Sequence, residues 1–168
     1  MISVPNGMVN TSLGTTIGSN AKIECNAGYF VNGSSWIVCT VEGWDGNPEC
    51  FKQDCGDLLV SNGHVTYFDG TLFGDVAQVV CDTGFSIQGN ATVTCKGGPA
   101  WSSIPSCDIK DCGSLEPPES GVVTVDLTTY NSTAEFKCDD AYLLFGDAVL
   151  VCLSDGKWSS EPPTCLKK

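Results

Sequence analysis

Short runs along the chain alternate apolar and polar residues with period two, among them Ala21–Cys25, Gln78–Cys81 and Thr133–Cys138. That period predicts half-buried β-strands, and no stretch sustains the 3.6-residue period of an amphipathic helix. Glycines and prolines fall between the runs and mark turns. The pattern also repeats. Apolar residues stand two positions before one cysteine of each segment (Ile23, Val79, Phe136) and two before the next (Ile37, Val93, Leu150). An aromatic follows the first of these cysteines by four positions (Tyr29, Phe85, Tyr142), and a glycine follows by eight (Gly33, Gly89, Gly146). Asn6-Gly7, Asn62-Gly63 and Ser120-Gly121 open the segments, each with a valine (Val9, Val65, Val123) two residues after its glycine.

The cysteines set the period. Cys25 to Cys39, Cys81 to Cys95 and Cys138 to Cys152 are each 14 positions, while Cys55 to Cys81 and Cys112 to Cys138 are each 26. The closing intervals, to Cys50, Cys107 and Cys165, are 11, 12 and 13. A tryptophan (Trp44, Trp101, Trp158) precedes each closing cysteine by six or seven positions, and a proline (Pro48, Pro105, Pro163) by two. The module is therefore about 56 residues long, and internal repetition governs the fold. A chain segment that short buries too little apolar surface to be comfortably stable alone, so cross-links must contribute.

Eleven cysteines in 168 residues need either disulfides or zinc. Zinc favours close thiolate pairs such as C-x-x-C. The nearest pairs here, Cys50/Cys55 and Cys107/Cys112, have four residues between them, and His64 is the sole histidine. Disulfides in an oxidising compartment are the better reading. Four cysteines per module allow three pairings, and spacing does not choose among them.

Taken in order, Cys, Asn-Gly, Cys-x-x-Gly-aromatic, Gly, Cys, Gly-x-x-Trp and Pro-x-Cys resemble the complement control protein module, also called the sushi domain or short consensus repeat. The resemblance covers nearly the whole chain, three times over: residues 1–50, 55–107 and 112–165, with linkers Phe51–Asp54 and Asp108–Asp111. It implies an all-β fold of tandem antiparallel modules forming an elongated, beaded rod. It also implies the pairs Cys25–Cys50, Cys55–Cys95, Cys81–Cys107, Cys112–Cys152 and Cys138–Cys165. Cys39 is left unpaired, and the frame puts its partner 26 positions before Cys25, just upstream of Met1. The expectation is a first module missing its first cysteine, in a chain cut from a longer run of modules. The rival reading is a free thiol that links two chains. One departure stands out: Ala141 occupies the place held by Gly28 and Gly84, after the acidic pair Asp139-Asp140. Two carboxylates without the alternating ligands of a calcium loop read as a solvated face.

Charge narrows the partners. The formal net charge is -12, all eight basic residues are lysines, and the pI is about 4.1. Such a surface repels nucleic acid, heparin-like polyanions and anionic lipid. No apolar run is long enough to span a bilayer. The third module, with two lysines against nine acidic residues, is the most acidic and favours basic partners through encounter rate. Catalysis finds little support, because His64 lies in a turn without a nucleophile motif, arginine is absent and no phosphate-binding loop occurs. No catalytic, cofactor or metal residue is assigned.

Four sequons, at Asn10, Asn32, Asn90 and Asn131, are candidate N-glycosylation sites. The stretch Tyr67–Phe73 lies where the resemblance places the family's variable loop. Its Phe68, Leu72 and Phe73 serve either as partner anchors or as packing against the neighbouring module. Trp36, outside the repeat frame, packs on a sugar or partner or on its own strand face. The function expected is a non-enzymatic extracellular recognition or adhesion segment of a larger modular glycoprotein. It would be secreted or part of an ectodomain, and would bind proteins or glycans. Complement regulation, as regulator or receptor, and self-association into an extracellular fibre or matrix are the alternatives.

Overall fold

The computed structural model describes residues 2–98 and 100–168; Met1, the expected start of the first module, lies outside them. The described residues contain strands and turns and no helix, so the all-β reading holds.

The first repeat contains β1 (Gly7–Asn10), β2 (Asn20–Cys25), β3 (Tyr29–Asn32), β4 (Trp36–Thr40), β5 (Gly43–Asp45) and β6 (Glu49–Lys52). These form a sheet in the order β1-β2-β4-β5 and a separate two-stranded ribbon, β3-β6. In the second repeat, β7 (Gly63–Tyr67), β8 (Val76–Cys81) and β10 (Thr92–Thr94) form the sheet β10-β8-β7. Its ribbon pairs β9 (Phe85–Gln88) with β11 (Ser106–Ile109). The third repeat follows the second, with sheet strands β12 (Gly121–Val125), β13 (Thr133–Cys138) and β15 (Val149–Val151), and ribbon strands β14 (Tyr142–Phe145) and β16 (Thr164–Lys167). Where the first repeat has β5, the others have the isolated bridges Cys95↔Trp101 and Cys152↔Trp158.

The alternating positions supply a thin core. Ile23, Val79 and Phe136 are buried, as are Ile37, Val93 and Leu150. Ala21, Ala77 and Ala134 are fully buried, directly across from Ile37, Val93 and Leu150. A small residue opposite a large one lets facing side chains fill the same layer without overlap. The buried strand amide of each repeat bonds in the same way: Ile23, Val79 and Phe136 donate to the carbonyls of Ser35, Ala91 and Ala148 at 2.7, 2.8 and 2.8 Å.

Five disulfides cross-link the repeats. Cys55–Cys95 and Cys112–Cys152 each span 40 positions, while Cys25–Cys50, Cys81–Cys107 and Cys138–Cys165 span 25, 26 and 27. Cys39 is free. Trp101 and Trp158 donate their indole N–H to the carbonyls of Gly56 and Gly113, at 3.1 and 3.0 Å. The opening Asn-Gly turns follow from the bridges. Asn6, Asn62 and Ser120 are left-handed, at φ 57, 57 and 63°. The next residue must be glycine, since a Cβ on Gly7, Gly63 or Gly121 would lie 2.6, 2.8 or 2.9 Å from the sulfur of Cys50, Cys107 or Cys165.

By spatial contact the chain divides into two units. One takes the first repeat, the first linker and, from the second repeat, residues up to Leu59 with Val65–Val79 and Asn90–Ile104. The other takes Val60–His64, Val80–Gly89 and everything from Pro105 onward.

Candidate binding surface

The β3-β6 ribbon of the first repeat carries an exposed aromatic pair. Antiparallel register sets Phe30 directly opposite Phe51, and their ring centroids lie 6.3 Å apart. Alternation turns Tyr29 and Val31 toward the protein and Phe30 outward. Phe30 and Phe51 remain 47% and 43% exposed. With Tyr29, Cys50, Lys52, Asp54, Asn6 and Leu72 they line a shallow surface depression. Leu72, 42% exposed, extends the apolar patch.

The same two positions differ among the repeats, which separates folding from function. In the second repeat they are Ser86 and Asp108, also directly opposite, with the Ser86 hydroxyl 3.4 Å from the Asp108 carbonyl. In the third they are Leu143 and Leu166, both exposed. The second ribbon forms with a polar pair, so the ribbon itself does not require Phe30 and Phe51. Large exposed aromatics that folding does not require are suited to a partner.

Hydrogen bonds favour the charged form of one carboxylate at this patch. Asp54 accepts a hydrogen bond from the Thr71 side chain and another from the Gly56 amide (2.8 Å), which hold its pKa below 3.8. Asp111, the last residue of the second linker, is held low in the same way by Thr128 and the Gly113 amide, at 2.9 Å. Hydrogen bonds to the charged form are the cause in both.

The residues singled out in the sequence fall in three places. Phe68 is 59% exposed, and Leu72 joins the aromatic patch. Phe73 is partly covered, its ring edge-on to Tyr29 with centroids 5.7 Å apart, and it packs against the backbone of Gly28. Trp36, at the start of β4, is 47% exposed and lies opposite Lys22. Its amide and carbonyl both bond the Ser34 hydroxyl, at 3.1 and 2.9 Å. All four sequon asparagines are exposed. Asn10 and Asn90 accept the amides of Ser12 and Thr92 at 3.0 and 3.1 Å; Asn32 ends β3, and Asn131 is left-handed. His64 is exposed, 3.9 Å from Asp82, and among the described residues no group of three His, Cys, Asp or Glu is arranged to hold a metal. Asp139 and Asp140 sit in the turn before β14, where the Asp140 carbonyl accepts the Lys168 ammonium at 2.8 Å.

Sequence reasoning did not single out Phe30 and Phe51. A signal was present: one residue after the repeated aromatic and one after the closing cysteine, the three repeats read Phe/Ser/Leu and Phe/Asp/Leu.

The Sushi repeat (SCR repeat) family matches residues 2–50, 55–107 and 112–165. The chain belongs to this family. It is 36% identical, over 89% of its length, to zona pellucida sperm-binding protein 3 receptor of Cavia porcellus, of which the match covers 31%. It is 34% identical, over 77% of its length, to complement factor H-related protein 2 of Homo sapiens, of which the match covers 50%. With E-selectin of Sus scrofa the identity is 28%, over 95% of this chain and 36% of the relative. The chain thus spans 31 to 50% of the length of these sushi-containing relatives.

Proposed function

We propose that these sushi repeats form a non-enzymatic, extracellular recognition segment that holds a protein partner on the Phe30–Phe51–Leu72 patch, built from the first repeat's ribbon and Leu72 of the second repeat. The observation that carries the reading is the aromatic pair, exposed at positions where the second repeat has a polar pair. Relatives named as a sperm-binding protein receptor and a selectin support recognition as the class of activity. Lys52 and Asp54 both line the depression, so the rings suit a partner that offers charged groups next to an apolar one. The exposed sequons are proposed to carry glycans and to keep neighbouring surfaces from aggregating.

The test substitutes the second repeat's own residues, Phe30→Ser with Phe51→Asp. Binding of the multimerised chain to cell surfaces is compared with that of the unaltered chain. A fall of tenfold or more, with all five disulfides retained, supports the patch. Unchanged binding overturns it. Complement regulation is the second reading, favoured by the likeness to complement factor H-related protein 2. Direct binding to immobilised activated complement fragments would establish that reading in its place.

A further inference from the structure

Each linker is held by one repeated arrangement. The Gln53 amide donates to the Gly28 carbonyl at 2.8 Å, and the Gln53 carbonyl accepts the Phe73 amide at 2.7 Å. In the other unit, the Lys110 amide donates to the Gly84 carbonyl at 2.9 Å, and the Lys110 carbonyl accepts the Tyr130 amide at 2.8 Å. The linker residue in both cases lies three positions after a closing cysteine. Its side chain also reaches forward: Gln53 Oε1 accepts the Gly98 amide, and Lys110 Nζ donates to the Ser154 carbonyl at 2.8 Å.

The aromatic ring then lies against the glycine. A Cβ placed on Gly28 would overlap the ring atoms of Phe73, and one on Gly84 those of Tyr130. Both glycines are left-handed, at φ 84 and 86°. Two explanations compete for them. They serve either the turn of their own repeat, through positive φ, or the joint, through the space left for the ring.

The third repeat distinguishes these. Its residue at this position is Ala141, which lies outside the left-handed region and is exposed. The turn nevertheless forms: Tyr142 donates to Asp139 at 2.9 Å, as Phe85 donates to Asp82 at 3.0 Å. Lys168, three after Cys165, still donates to the Ala141 carbonyl at 3.0 Å. The β14-β16 ribbon and the Cys138–Cys165 bridge are also in place. A sushi repeat of this chain therefore closes this turn with alanine, at a backbone conformation outside the left-handed region.

We infer that Gly28 and Gly84 serve the joints between repeats rather than the folding of their own repeats. Each is a socket that admits the aromatic ring of the following repeat against the backbone. Replacing either glycine opens the joint and leaves the repeat folded.

The experiment is amide hydrogen exchange on the 168-residue chain carrying Gly84→Ala, with Gly89→Ala as control. Gly89 has nearly the same φ, 93°, but a Cβ there would meet nothing closer than Pro105 at 3.7 Å. Gly84→Ala is expected to speed exchange of the Lys110 and Tyr130 amides at least tenfold beyond the control. The Asp82 and Phe85 amides, which report the repeat's own turn, should change alike in both variants. Equal Lys110 and Tyr130 exchange in the two variants overturns the inference. So does loss of Asp82 and Phe85 protection in Gly84→Ala alone. Tyr130→Ala, which removes the ring and keeps the glycine, must open the same two amides; their unchanged protection would equally defeat the proposal.

Discussion

The free Cys39 makes the first repeat of this 168-residue chain a built-in comparison for the bridge that the other two possess. Cys55–Cys95 and Cys112–Cys152 each close a span of 40 positions. In the chain-entropy model, a loop of that length loses about 4 kcal/mol of unfolded-state freedom when cross-linked, and about 4 kcal/mol is about three decades in an unfolding equilibrium. The three repeats offer equivalent probes, because the Ile23, Val79 and Phe136 amides make the same buried strand bond. Exchange of the Ile23 amide should therefore run about a thousandfold faster than that of Phe136, after correction for intrinsic rates. Other sequence differences between the repeats also contribute, so a second arm isolates the bridge. The double variant Cys112→Ala with Cys152→Ala should bring Phe136 protection down by about the same thousandfold, with Val79 much less affected. Hydrogen exchange followed by NMR reads all three amides in one sample. If Ile23 and Phe136 exchange within tenfold of one another, or the double variant leaves Phe136 unchanged, the bridge does not supply this stability and the reasoning fails.

Leu150 is fully buried against Ala134 and Phe136, so Leu150→Ala should destabilise the third repeat by about 2–5 kcal/mol, read from the Phe136 amide. Asp54 and Asp111 have pKa values lowered in the folded chain, so their contribution is fully present above pH 3.8 and is lost as pH falls through the lowered folded values. Exchange at the Gly56 and Gly113 amides should accelerate across that acid window, after correction for intrinsic rates. Asp54→Asn with Asp111→Asn should flatten the dependence, and an unaltered acid profile would count against the two linker hydrogen bonds.

Much of the fold was legible because covalent and apolar positions repeat in register. Two residues before a cysteine, Ile23, Val79 and Phe136 alternate with polar neighbours, and that period alone places them inward. The alanines opposite the core were not legible in this way. Ala21, Ala77 and Ala134 carry too little hydrophobic signal to stand out, and their place follows only from strand register. Phe30 and Phe51 were hidden for a related reason. Period two says that each points outward, but only the β3-β6 pairing brings the rings side by side. Phe73 had two sequence readings, and its ring lies on Gly28, leaving Phe68 and Leu72 as the exposed residues of that stretch.

The glycines show why a repeat can be more informative in its exceptions than in its consensus. A glycine three positions after the second cysteine of two repeats is compatible with a left-handed turn, with close approach of a ring, or with both, and nothing in its own repeat separates these. Ala141 separates them. In the sequence it is a departure from pattern beside an acidic pair; in the fold it lies outside the left-handed region, and its turn and ribbon are intact. The same logic underlies the proposed partner surface, because Ser86 and Asp108 show that a sushi ribbon of this chain closes without aromatics. In both cases one repeat acts as the natural substitution for another: where the fold persists through the exchange, the residue exchanged answers to something outside its own repeat. For Gly28 and Gly84 the ring of the neighbouring repeat lies on that position, and for Phe30 and Phe51 the proposed partner is what the binding test addresses.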